Sequence, residues 1–318
     1  METLSSLADF PLSLSERPVV LCIGNFDGVH RGHRALFSAA QAMARDCGGR
    51  CGVLTFNPHP EVFFRGEGAV KLIYSQATKT ALFERLGLDF AILCPFTSEL
   101  AGLAAEDFVP ALKKAIPALA GIFVGENFRF GARRRGDVAL LRKSACAQSV
   151  SANALTPVLF ESEKISSTRI RECLERGETE AADAMLGENY FASGTITSGR
   201  RLGRTIGFPT LNLPWEPELR PRFGVYAVKV RFGEQLFPGV ANYGVRPTVE
   251  HEGTPAPLLE TFLLEVPDGA SVPGYGDFIV VEWLKFLRPE QRFESVDALR
   301  EQLRLDRLAA ADFFASRA

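Results

Sequence analysis

No apolar stretch in this 318-residue chain approaches the roughly 20 residues that span a bilayer, so a membrane-spanning helix is not expected. The opening METLSSLADFPLSLSE lacks a basic segment followed by a sustained apolar core. It does not read as a secretory signal, and the cytoplasm is the expected location. Excess charge is missing as well. A formal net charge of −2 gives no general attraction to nucleic acid or anionic membrane, so neither is an expected partner and any anion needs a specific site. No GxxxxGK[ST] loop occurs anywhere, so ATP chemistry would need a different phosphate cradle. The six cysteines are scattered before residue 174 without a CxxC pair, and they read as reduced core or surface thiols.

What is present describes an ordinary globular protein, 46% hydrophobic and 23% charged, and long enough for two domains. From Val19 to about Phe160, apolar runs (VVLCI, CGVLTF, FAILCPF, GIFVG) alternate with helical patterns (RALFSAAQAMARDC, ATKTALFERLG, AEDFVPALKKAI). That alternation predicts an α/β, doubly wound parallel sheet, with Gly87 and Gly121 as helix stops. After the helical stretch STRIRECLERGETEAADAMLG the texture changes to GVYAVKVRF, QLFPGVANYG, LLETFLLEV and FIVVEWLKFL, with Gly and Pro between. These predict an antiparallel barrel or sandwich, and the closing VDALREQLRLDRLAAADFF predicts a helix packed back on it. The expected domains are 1–185 and 186–318.

GNFDGVHRGH, residues 24–33, follows the first strand and opens the first helix, where open α/β sheets bind ligands. Gly24, Gly28 and Gly32 permit tight turns and close backbone approach, and the helix start aims free N–H groups at an anion. Metal ligation, acid–base catalysis and a phosphate cradle are all open to His30 and His33, as is simple capping. A closed zinc site needs about four ligands, and the nearby candidates are only Asp27, His59 and Cys51.

Two later segments bear on the choice. GENFRFGARRRGD, residues 125–137, joins Asn127 and two phenylalanines to three consecutive arginines. ISSTRIRECL, residues 165–174, sets Ser166, Ser167 and Thr168 at a helix start with Arg169 and Arg171 behind them, a combination suited to phosphate. Alone, SST is an ordinary N-cap and RRR an ordinary solvated face. In the second half, GRRLGRTIGFPTLNL (199–213) offers a glycine loop, and Thr210 and Asn212 stand two apart on an extended segment, able to present oxygens to one Mg²⁺. Glu260 in LLETFLLEV is either a general base held on a strand or an outward charge.

GNFDGVHRGH, TFNPHP, VGENFRFGARRRGD and ISSTRIR together resemble the nucleotidyltransferase half of the bifunctional riboflavin kinase/FMN adenylyltransferases, the bacterial FAD synthetases. The second half resembles their riboflavin kinase domain, whose GRxxGFPTxN motif is matched by Gly203, Arg204, Gly207, Phe208, Pro209, Thr210 and Asn212. Departures are Asn57 and Asn127 at commonly acidic positions, Phe262 and Glu265 in a segment usually close to LEVHLLD, and LGENY for LGRPY at 186–190.

The resemblance implies two reactions. The C-terminal half would phosphorylate riboflavin to FMN with ATP, with Glu260 as base and Thr210 and Asn212 holding Mg²⁺. Gly203, Arg204, Gly207 and Pro209 would form its phosphate loop. The N-terminal half would adenylylate FMN to FAD and release pyrophosphate. There His30 and His33 would do the catalysis, and Gly24, Phe26, Asp27, Gly32, Asn127, Ser166, Ser167, Thr168 and Arg171 would bind nucleotide and phosphate. Alternatives are a single-activity adenylyltransferase or a flavin-binding regulator with a degenerate kinase half. A class I aminoacyl-tRNA synthetase would carry a lysine-rich KMSKS-like loop where ISSTRIR stands. Oligomeric state is not readable from the residues.

Overall fold

Val19–Ile23 has no polar alternation, so its strand (β2) must be covered on both faces, and all five residues are buried. It lies inside a six-stranded sheet with β1 (Glu2–Leu4), β3 (Arg50–Asn57), β4 (Phe90–Pro95), β5 (Leu119–Gly125) and β6 (Ser151–Leu155). The order is β1-β4-β3-β2-β5-β6, and every pairing is parallel, as the alternating pattern requires. The helices of this half are α1 (Arg31–Asp46), α2 (Pro60–Arg65), α3 (Gln76–Arg85), α4 (Ser98–Gly102), α5 (Phe108–Ala115) and α6 (Val138–Ala147). In α1 the buried Leu36, Phe37, Ala40 and Ala44 fall on one face, as helical spacing dictates. The strands step outward from β2 through β3 to β4, then resume on the other side with β5. The topological switch therefore falls between β2 and β5.

The structure is a computed structural model that describes residues 1–198, 207–245 and 257–317. It divides into two compact units, Met1–Ser167 and Thr168–Ala318. Gly87 follows α3 with a left-handed φ of 74°, as expected of a helix stop. Gly121 does not stop a helix. It lies within β5, where a Cβ would stand 2.8 Å from the Met43 sulfur, so a side chain there would have to displace the flexible end of that methionine.

The second unit opens with α7 (the Ser167–Arg176 helix, apart from its first residue) and α8 (Thr179–Leu186), then forms a near-closed antiparallel barrel. Its strands are β9 (Phe191–Thr195), β10 (Leu211–Pro214), β11 (Gly224–Phe232), β12 (Gln235–Val245), β13 (Pro257–Leu263) and β14 (Phe278–Pro289), in the order β10-β13-β12-β11-β14-β9. A bridge between Thr197 and Asn212 brings the two ends of that sheet together. Tyr190, Tyr226, Tyr243 and Trp283 are fully buried and pack edge to face. The last helix, α9 (Val296–Ala315), seats Ala310 and Phe313 against Val225, Ala227, Val240 and Leu284, as its apolar spacing predicts. All six cysteines are free thiols.

Candidate active sites

At the switch point of the first unit, β2 ends and the chain turns sharply. Phe26 and Val29 take left-handed φ values of 52° and 46°, and Gly28 one of 78°. For non-glycine residues that conformation costs on the order of 1–3 kcal/mol each, so the surroundings must impose it. They do so by occupying the turn's carbonyls. The Asn25 carbonyl accepts from Thr55 Oγ1 at 3.0 Å and Lys79 Nζ at 3.1 Å. That of Asp27 accepts from Ser167 Oγ at 2.9 Å, and that of Val29 from Arg34 Nε at 3.0 Å. The Asp27 carboxylate faces inward and accepts from the Ile73 N–H at 3.0 Å. The Phe26 ring fills the space beneath, against Phe37, Phe83 and His33.

His30 then caps α1, its Nδ1 accepting from the His33 N–H at 3.4 Å. The two imidazoles stack at 3.6 Å and 16°, and a side chain on Gly32 would press on the His30 ring at 3.1 Å. Burial drives the His30 pKa down to about 4. Burial, with help from His30 and Lys79, holds His33 well below its usual value. Both rings are therefore neutral at physiological pH. Because His30 Nδ1 accepts, its proton resides on Nε2, which leaves that atom a donor. Nδ1 of His33 is buried without a hydrogen-bond partner.

These groups line a cavity of about 310 Å³. Gly24, Phe26, His30, Gly32 and His33 come from the first loop and the helix start that follows it, Asn127 and Phe128 from just after β5, and Ser166 and Ser167 from the last residues of the unit. Asp27 is absent from the lining. Its place in the site is below the loop, where burial and the Ile73 N–H fix it. Thr168 and Arg171 continue the first turn of α7 in the second unit. Lys164, to which no motif in the sequence points, also lines the cavity and contributes a positive charge near His30. A second feature, only one residue of which belongs to a motif, is an aromatic cluster that includes Phe56 of TFNPHP. Phe56, Phe63, Phe64 and Phe96 pack with centroids 5.2 to 5.7 Å apart, while Phe64 stays 65% exposed. An exposed phenylalanine at the ligand end of a sheet is the signal that marks it.

The second unit holds a cavity of about 230 Å³ between the barrel wall and α9. Cross-strand register sets Glu260 and Asn242 side by side in its polar wall, with Asn212 outside the lining. Glu260 on β13 stands opposite Asn212 on β10 and opposite Asn242 on β12, so three residues far apart in sequence share one face. Glu260 thus points into the cavity, not outward, and Thr210 joins the lining just before β10. Asn212 is buried, and its Nδ2 donates to the Thr210 carbonyl at 3.3 Å. Glu290, unforeseen, accepts from Asn242 Nδ2 at 3.3 Å, and burial raises its carboxyl pKa.

Phe262, the departure in the LETFLLE segment, packs on Phe208 at 5.3 Å, and with Phe293 the two form an aromatic wall. Opposite, Arg288 grips Asp306 in a bidentate pair at 2.7 Å per contact. Gly207, with φ 86°, and Pro209 are exposed ahead of β10, outside the lining. Gly203 and Arg204 lie outside the described residues. Among the described residues no group of three or more His, Cys, Asp or Glu could hold a metal ion, and no helix is long and apolar enough to cross a membrane.

Comparison with known proteins divides the chain in the same way. Residues 13–169 match the FAD synthetase family and residues 186–314 the riboflavin kinase family. A bifunctional riboflavin kinase/FMN adenylyltransferase of Escherichia coli strain K12 is 38% identical over 95% of this chain and 96% of its own. One from Bacillus subtilis strain 168 is 30% identical over 93% of each. A crystal structure from Streptococcus pneumoniae, described as a macrolide-efflux protein, superposes with a TM-score of 0.84 at 28% identity, covering 97% of this chain and 98% of that one. That description belongs to the pneumococcal protein.

Proposed function

The chain belongs to the bifunctional riboflavin kinase/FMN adenylyltransferases, and from that premise we propose how its own residues carry the two reactions. Its activities are the phosphorylation of riboflavin to FMN and the adenylylation of FMN to FAD, with ATP as co-substrate.

For adenylyl transfer, an FMN phosphate oxygen attacks the α-phosphorus of ATP while the bond to the pyrophosphate oxygen breaks. The attacking phosphate is already anionic, so no protein nucleophile is required. The protein's part is to orient the two phosphates and stabilise charge on the departing one. The observation that carries this reading is the stacked, neutral His30–His33 pair at the N-terminus of α1, inside the switch-point cavity. His30 Nε2–H, the first-turn N–H groups of α1 and Lys164 supply donors and positive charge, while Gly24 and Gly32 keep the approach open. Asn127, Ser166, Thr168 and Arg171 bind the nucleotide. The flavin ring rests on the Phe64 cluster.

For phosphoryl transfer, Glu260 accepts the proton of the ribityl 5′-hydroxyl as that oxygen attacks the γ-phosphorus of ATP and ADP departs. Its place in the Asn212–Glu260–Asn242 row supports this reading. Thr210 and Asn212 offer neutral oxygens, a fit for Mg²⁺ that arrives on ATP phosphates instead of residing in a protein cage. The metal would neutralise phosphate charge. The wall of Phe208, Phe262 and Phe293 suits a flat flavin ring, so the unusual Phe262 is compatible with a working kinase half. Gly203, Arg204, Gly207 and Pro209 are assigned to the phosphate loop.

We place the functional boundary between 185 and 186, so that the whole SSTRIR segment, which runs into α7, stays with the first reaction. The chain acts on small molecules, without nucleic acid, in the cytoplasm, in keeping with its net charge of −2 and its free thiols. Incubation with riboflavin, ATP and Mg²⁺, followed by chromatography, tests the whole scheme: FMN and then FAD are expected. Absence of both products would overturn it.

A further inference from the structure

Lys79 is a buried lysine, 5% exposed, that reaches from α3 beneath the GNFD turn. Its Nζ donates to the Asn25 carbonyl at 3.1 Å and to Thr55 Oγ1 at 3.2 Å. Thr55 Oγ1 donates in turn to that same carbonyl, so β3, α3 and the turn close into one small network. The Asn25 side chain lies 2.8 Å from His59 Nε2, which links the network to TFNPHP. The charged and titratable groups facing Lys79 are Asp27 from the turn, whose carboxylate favours the ammonium, and His33 from α1, which the ammonium discourages from protonating. β3 presents the neutral Thr55 hydroxyl.

Burying an ammonium is costly, and a merely structural clamp on one carbonyl needs no charge. The cation sits where it does two jobs. It fixes the Asn25 peptide immediately before the left-handed Phe26, and its charge adds to what burial and His30 do in keeping His33 neutral. We propose that Lys79 is a positioning residue for adenylyl transfer, holding the GNFD turn in shape beneath the His30–His33 pair. This rests on the reading of the His30–His33 cavity as the adenylylation site.

The consequence is a pH limit. Desolvation lowers the Lys79 pKa to about 8, so the charge is present below that pH and lost above it. The rate of FAD formation should fall as pH rises through this value.

The test uses the full chain and the K79M and K79R variants, with riboflavin kinase activity in the same chain as the folding control. K79M is expected to lose about 30- to 100-fold in kcat for FMN adenylylation, as misplaced reacting groups do, with KM for ATP little changed and the kinase rate intact. K79R keeps its charge at every pH, so it should restore much of the rate and abolish the alkaline decline. His33, followed by NMR, should titrate at higher pH in K79M than in wild type. Wild-type rates in K79M, or the same alkaline limb in wild type and K79R, would overturn the proposal. Should K79M lose kinase activity too, the pH profiles of wild type and K79R decide alone. Normal adenylylation by a chain carrying both His30→Ala and His33→Ala would instead sink the site reading on which the proposal stands.

Discussion

The two halves build a phosphate-handling site from opposite materials. In the first, the site is mostly main chain: one strained turn, one helix start, and two imidazoles that burial keeps neutral. In the second it is mostly side chains, brought into a row by strand register, with a carboxyl group at its centre. The difference follows the chemistry. Adenylylation of an anionic phosphate needs orientation and donors, which backbone N–H groups and neutral rings provide. Phosphorylation of a hydroxyl needs somewhere for a proton to go, and a carboxyl group on a strand provides that.

The comparison breaks most sharply at Glu260. Glu260→Gln keeps the shape and removes the base, so riboflavin phosphorylation should fall about 10²–10⁴-fold while added FMN is still converted to FAD. Steady-state assays of each step separately give the answer. Comparable kinase rates in variant and wild type would remove the carboxyl group from the mechanism and leave the second half working, like the first, by orientation alone.

Next in size is the Arg288–Asp306 pair. Asp306, 4% exposed, also accepts from Gln302 Nε2 at 2.9 Å, so it anchors α9 to the end of β14. Removing one member of a buried pair leaves the other charge stranded, and Asp306→Ala should destabilise the barrel by about 3–5 kcal/mol. Denaturant unfolding followed by tryptophan fluorescence reports on it, because both tryptophans lie in this half. Adenylylation of FMN should survive at temperatures where kinase activity is already lost.

Legibility in the sequence also divides between the halves. GNFDGVHRGH is contiguous, so its glycines, its histidines and its position after an apolar run mark the first site within a single stretch of chain. The row of Asn212, Glu260 and Asn242 is not contiguous. Only register assembles it, and by pattern alone Glu260 reads equally well as an outward charge. Lys79 is hidden differently, since a lysine in ATKTALFERLG looks like a solvated helix residue, and only the fold buries it. Gly121 misleads because a glycine after a helical run suggests a cap, when it lies inside β5 under the Met43 side chain. Asp27 looks like a ligand contact from its place in the motif, yet the structure aims its carboxylate at the Ile73 N–H.

A smaller loss is expected at His33. If the pair acts by charge stabilisation, His33→Ala should slow FAD formation from FMN by about 10²–10³-fold, as removal of a transition-state donor does. Riboflavin kinase activity should not change. An unaltered adenylylation rate would mean that main-chain donors suffice, which would make the contrast between the halves starker still.

The smallest effect belongs to Ser167, and it separates two roles that its motif cannot. The residue lines the cavity, as expected of a phosphate ligand, but its hydroxyl proton is committed to the Asp27 carbonyl at 2.9 Å. A hydroxyl has one proton to give. While it braces the turn it cannot also donate to a phosphate, whereas its main-chain N–H, at the start of a helix, is still able to do so. Ser167→Ala therefore deletes one neutral hydrogen bond, worth about 1 kcal/mol, and should reduce adenylylation by roughly fivefold. A loss near that of His33→Ala would mean the hydroxyl switches from Asp27 to the phosphates when nucleotide binds, and the first half would then depend on side-chain donors as heavily as the second.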